Sequence, residues 1–172
     1  MLTASLITLG SPDQLTGGYL YHRRMADLAP AHDARVDFVS VPAVSFLPAV
    51  AAGRRVARTA KGADVMVVDS IAAACLAPWR LPRPAVGILH QPPGGIDGGP
   101  ARRAVQRWLD GAMYGRCEVL ILASQTLVNG PPPPYDVPAI QPTQRPQLND
   151  GCFAFERTWS QFTRFRRGTS VR

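Results

Sequence analysis

Asp64-Val-Met-Val-Val-Asp69, followed by Ser70 and then Ile71-Ala-Ala-Ala-Cys-Leu76, is the stretch on which the reading of the fold turns. Four apolar residues between two aspartates describe a short strand buried on both faces, the pattern of a parallel sheet covered by helices on each side. The next six residues read as a short helix stopped by Pro78, so strand passes directly into helix. Asp69 stands at the joint.

Outward from this unit the same alternation recurs. Residues 4–9 form a buried strand candidate, and residues 19–29 place Leu20, Met25 and Leu28 at near-helical spacing. Residues 35–41 alternate as a second strand. A helix-compatible stretch over 48–60 then carries Val50, Val56 and Ala57 inward and Arg54, Arg55, Arg58 and the following Lys61 outward. Residues 84–89 make a fourth strand ending at His90, a Gly/Pro-rich loop runs over 91–100, and residues 102–113 form an amphipathic helix with Val105, Leu109 and Ala112 on one side. Residues 118–123 give a fifth strand. Strands separated by helices predict a Rossmann-like, doubly wound, mostly parallel α/β sheet, because right-handed crossovers put helices on both faces.

Composition agrees with one domain. The chain has 172 residues, 46% hydrophobic and 18% charged, enough for a core of ordinary size plus an arm. No apolar run approaches the roughly 20 residues that span a bilayer, and a strand pattern follows Met1 directly, so a cytoplasmic protein is expected. Cys75, Cys117 and Cys152 are odd in number and far apart, which indicates neither a disulfide framework nor a metal site. The net charge of +7 is uneven: residues 151–172 hold five arginines against Glu156 alone. That balance points to anionic ligands or a membrane surface, and no patterned patch for nucleic acid is present.

After Val128 the rhythm fails. Residues 129–172 read as a proline-rich linker, with Pro131-Pro-Pro-Pro134, and a basic tail that is poorly ordered; residues 129–146 are a linker or extended arm and hardly a sheet-core segment. The domain is therefore expected over 1–128.

Ligands of an open parallel sheet lie beyond the carboxyl ends of its strands. After the first strand come Gly10, Ser11 and then Thr16-Gly17-Gly18-Tyr19. The glycine pair lets a backbone approach a ligand and frees amides at a helix N-terminus for phosphate; alternatively it makes a tight turn. Neither G-x-G-x-x-G nor the Walker A pattern is present, which counts against a dehydrogenase or a P-loop ATPase. Asp69-Ser70 ends the third strand, where Asp69 either caps the next helix or orients a ligand hydroxyl. His90 ends the fourth, where it either serves the fold or bonds a sugar or phosphate oxygen. Ser124 caps a helix expected from Gln125.

In this order, the Thr16-Gly17-Gly18-Tyr19 loop, Val68-Asp69-Ser70, Ile88-Leu89-His90 and Val119-Leu-Ile-Leu-Ala-Ser124 resemble the N-terminal domain of a GT-B glycosyltransferase of the retaining group 1/family 4 kind. The resemblance covers about residues 2–128. It implies transfer of a sugar from a nucleotide-sugar donor, a substrate rather than a cofactor, to an acceptor hydroxyl, without metal. By it, Gly17 and Gly18 face the donor phosphates, His90 the reaction centre, and Asp69 and Ser70 the acceptor side. In that family the nucleotide pocket lies mainly in a second Rossmann-like domain with a paired-glutamate motif. Here Gly130 is followed by four prolines and the rest matches nothing in the family, so the chain is expected to be a truncated half, or one that pairs with a separately encoded second half. Arg54, Arg55, Arg58, Arg102 and Arg103 offer peripheral contact with an anionic membrane. The alternative is a non-catalytic module of the same fold that binds a small anion or a partner, and it requires a tail that completes the sheet or caps its edge.

Overall fold

Each apolar run becomes a strand, and all the strands run the same way. In the computed structural model, which describes residues 1–14, 16–81, 84–94, 99–123 and 139–140, the chain proceeds through β1 (Leu2–Leu9), α1 (Gly17–Leu28), β2 (Ala34–Val41), α2 (Phe46–Thr59) and β3 (Val65–Asp69). It continues through α3 (Ser70–Leu76), β4 (Ala85–Leu89), α4 (Pro100–Tyr114), β5 (Val119–Leu122) and β6 (Ala139–Ile140). The strands form one parallel sheet in the order β2-β1-β3-β4-β5-β6. The fold is the expected Rossmann-like α/β arrangement. From β1 the chain steps to one edge and then returns past it toward the other, so β1 and β3 flank the topological switch point.

Period-2 alternation divides the core. Met66, Val68, Leu89, Leu120 and Leu122 pack with Ala57, Ala73 and Met113 of α2, α3 and α4, whereas Val65, Val67, Val86, Ile88 and Ile121 belong to the cluster that holds Met25 of α1. Helix α3 is short and thin, with Ala72, Ala73, Ala74 and Cys75 all buried, and this lets α2 come very close. At Gly53 an added Cβ would stand 2.4 Å from the Cys75 carbonyl oxygen, a separation no side chain tolerates. Cys75 and Cys117 are buried free thiols.

Three expectations need correction. Helix α1 begins at Gly17, so the glycines are its first turn and not a loop before it. Its inward stripe is Tyr19, His22 and Met25; Leu20, one position out of phase with that stripe, is 46% exposed. On α4, Val105 and Ala112 are exposed while Leu109, Asp110, Met113 and Tyr114 are buried. The cap at Ser124 and nearly all of 129–172 lie outside the described residues. Within that segment, however, Ala139–Ile140 pairs in parallel with Leu120 and Ile121, so the proline-rich stretch does add to the sheet. An outermost strand of two residues needs no neighbour on its far side, which is why flanking prolines are compatible with it.

Candidate functional site

The carboxyl ends of β1, β3 and β4 converge beside the first turn of α1. Gly10 closes β1 at φ +77°, a left-handed turn in which a side chain would also press on Gln14 and Ala43. Its amide donates to the Val41 carbonyl at 2.7 Å. The Tyr19 hydroxyl donates to the Leu9 carbonyl, tying the first turn of α1 back to the strand end. Thr16 precedes the helix with extended backbone and supplies no side-chain cap. The first-turn amides of α1 therefore keep their partial positive charge without a capping oxygen from that residue.

Behind this turn stand two histidines and an aspartate. The His90 ring lies against Gly18, where a Cβ would meet His90 Cδ2 at 3.6 Å. Its Nε2 is 3.0 Å from Nε2 of His22, and Nδ1 of His22 is 3.7 Å from Asp69 Oδ2. Asp69 Oδ1 accepts from the Ile71 amide at 3.4 Å, the cap of α3, and from the Ser70 hydroxyl at 3.2 Å. Ser70 Oγ in turn accepts from the His90 amide at 3.3 Å. The rings of Tyr19 and Tyr21 pack edgewise around His22, and Tyr21 also meets His90. Asp69 is 2% exposed and Ser70 4%, so both present almost no surface to an acceptor, and Asp69 acts as the cap.

Burial governs the charges. It pushes His22 down to about 3, with His90 adding to the effect, and pushes His90 down to about 4. It also pushes Asp69 up to about 6 against the bonds from Ile71 and Ser70. At neutral pH both rings are uncharged and Asp69 is ionised. The His22–Asp69 contact is then an ion–dipole interaction, not a salt bridge.

Among the described residues, His22, Asp69 and His90 are the one group of three such side chains whose ligand atoms approach a common point, all within 4.8 Å. A cation of the imidazole-preferring kind would compete with the protons for these ring nitrogens. Asp69 is drawn up behind Nδ1 of His22, the place of a carboxylate that orients a ring.

The loop after His90 is fixed to α4: the Gly94 amide donates to Asp110 Oδ2 at 2.8 Å. On the α2–α3–α4 side a cleft of about 860 Å³ opens next to the site, with Leu9, Phe46, Ile71 and Leu109 in its walls and Arg102 and Gln106 at its polar side.

Of the predicted site residues, Gly18, His90, Asp69 and Ser70 come together, and Gly17 stands beside them at the start of α1. His22 is the residue that sequence reasoning missed. Its signal was positional, since it falls three residues after Tyr19 and three before Met25 on the inward stripe of α1. No family model, curated protein or solved structure matches the chain.

Proposed function

We propose that this domain is the acceptor-side half of a retaining nucleotide-sugar glycosyltransferase, with the Gly17-Gly18 turn facing the donor diphosphate and His90 facing the reacting sugar. One observation carries the reading: the fold has no use for the two glycines. Neither lies in the left-handed region, a Cβ at Gly17 would meet nothing within 4 Å among the described residues, and one at Gly18 would make an ordinary contact with His90. Glycine in a helix is destabilising by about 0.5–1 kcal/mol relative to alanine. A backbone left bare at a helix N-terminus and at a switch point is suited to close approach by a phosphate.

In this reading the donor is a substrate and no cofactor or metal takes part. The acceptor hydroxyl enters from the neighbouring cleft, and a second domain, on this chain or a separate one, supplies most of the donor contacts. The free thiols of Cys75 and Cys117 suit a cytoplasmic setting. Arg54, Arg55 and Arg58 on α2 and Arg102 and Arg103 on α4 meet an anionic membrane; these helices carry no acid except buried Asp110, and they expose Leu47 and Trp108. No helix among the described residues is long and apolar enough to cross one.

The test is titration of the purified chain with uridine diphosphate, followed by amide NMR, and incubation with nucleotide sugars. Shifts at Gly17 and Gly18 without turnover are expected, and turnover by the chain alone would overturn the half-site reading. A second reading, a stand-alone anion-binding or partner module, is favoured by the sixth strand, Ala139–Ile140, which extends the sheet past β5. Limited proteolysis separates the two: protection through Ile140 supports the module, and rapid cleavage after Val128 supports the half-enzyme.

A further inference from the structure

The site contains a buried chain of polar groups that the sugar-transfer reading leaves unused, Asp69 to His22 to His90. Two neutral imidazoles whose Nε2 atoms are 3.0 Å apart share one proton, with one ring donating and the other accepting. Which ring donates is decided at the far side of His22. That residue is fully buried, and among the described residues its Nδ1 has no hydrogen-bond partner; the Asp69 carboxylate stands beside it, with Oδ2 at 3.7 Å. An N–H there points its positive end at the carboxylate, whereas a lone pair there would be repelled in a medium of low polarity. His22 therefore holds its proton on Nδ1 and accepts at Nε2. His90 then donates from Nε2, and its own Nδ1 carries no proton.

We propose that Asp69 and His22 are positioning residues that fix His90 as the Nε2–H tautomer, so that His90 meets a ligand with an acceptor nitrogen and selects a hydroxyl over a phosphate. A phosphate oxygen requires a donor, and the one proton on His90 is committed to His22. Tyr19 spends its hydroxyl on the Leu9 carbonyl, and Tyr21 packs edgewise on both imidazoles. The choice of hydroxyl as ligand rests on the sugar-transfer reading, but the tautomers do not.

Nitrogen-15 NMR of the imidazoles in the full chain at pH 7.5 reads the assignment directly. Expected are His22 protonated at Nδ1 and His90 at Nε2; the reverse pair overturns the proposal. Asp69→Asn keeps a capping oxygen and removes the charge, so both rings become tautomer mixtures although Asp69 does not touch His90. An unchanged His90 in that variant means that Asp69 is only a cap, and the relay fails. His22→Gln, whose amide oxygen still accepts from Nε2–H, keeps His90 in one tautomer, whereas His22→Phe does not. Equimolar Zn²⁺ leaves both rings unmoved; a joint shift would overturn the relay in favour of a metal held between the two nitrogens. In the ligand arm, UDP-glucose shifts His90 Nδ1 more than UDP does, and an equal response to both refutes the selectivity. If neither nucleotide binds, the sugar-transfer reading falls, and the tautomer measurement decides the relay by itself.

Discussion

Replacing Gly17 by alanine should make the protein more stable and a worse ligand-binder at once. The glycine is the first residue of α1, has no positive φ, and an added Cβ meets nothing within 4 Å among the described residues. No steric term opposes the change, so the dominant effect is the lost freedom of the unfolded chain, which stabilises by about 0.4–1 kcal/mol at a compatible position. For a chain of this size that amounts to a rise in Tm of about 1–4 °C. The same methyl group stands where a diphosphate oxygen would approach the first-turn amides, and a tenfold loss of affinity corresponds to about 1.4 kcal/mol. Urea unfolding and titration with uridine diphosphate, on the same two proteins, read the opposite signs together. A destabilised Gly17→Ala protein would show that the backbone needs the glycine, and the argument from idle glycines would collapse. A stabilised variant with unchanged diphosphate affinity would leave the turn without a ligand and refute the functional half of the reasoning.

The remaining expectations concern the groups that hold the site. His22 has a folded pKa near 3, far below its ordinary value, so the unfolded chain binds a proton between about pH 3 and pH 6.5 that the folded chain refuses. Stability contributed by this group is present above pH 6.5 and is lost on acidification at about 1.4 kcal/mol per pH unit. Asp69, raised to about 6, acts in the opposite sense, favouring the fold as pH falls through that value. His22→Gln therefore flattens the acid limb by up to one proton in urea unfolding as pH falls from 6.5 to 5, and an unchanged slope contradicts the assignment. Gly53→Ala drives a methyl into the Cys75 carbonyl and destabilises by about 3 kcal/mol or more, seen as a fall in Tm; a neutral outcome would mean that α2 and α3 separate easily. Arg116 donates to the carbonyls of Ala112, Trp79 and Ala77 at 2.6–2.7 Å, holding the end of α4 to the turn after α3. Arg116→Ala lowers stability by about 2 kcal/mol and Arg116→Lys restores only part of it, because an ammonium cannot fork to three carbonyls in fixed geometry. Equal stability of the two variants would refute that account.

The strands were legible because burial on both faces forces continuous apolar runs, and Val65–Asp69 shows this most plainly. Helix faces were read less well. Leu20 reads as inward because hydrophobicity is the only signal in the sequence, whereas the inward stripe of α1 carries a tyrosine, a histidine and a methionine. A buried histidine is invisible to a hydrophobic count, and its partners come from β3 and β4, 47 and 68 positions further along the chain. The sixth strand escaped notice for a similar reason, since two residues among prolines have no periodicity and gain their place only from the open edge of β5.

By itself, the sequence determined the alternation of strand and helix, the parallel sheet that follows from it, and the strand-end positions at which Gly17, Gly18, Asp69 and His90 stand. Local patterns suffice for that, because periodicity and chain direction are properties of short segments. Only the tertiary structure decided that the glycines begin a helix and serve no turn, that Asp69 is a buried cap, and that His22 joins it to His90. Those facts depend on which backbones pass within a few ångströms of one another at the switch point, and no segment carries that distance within itself.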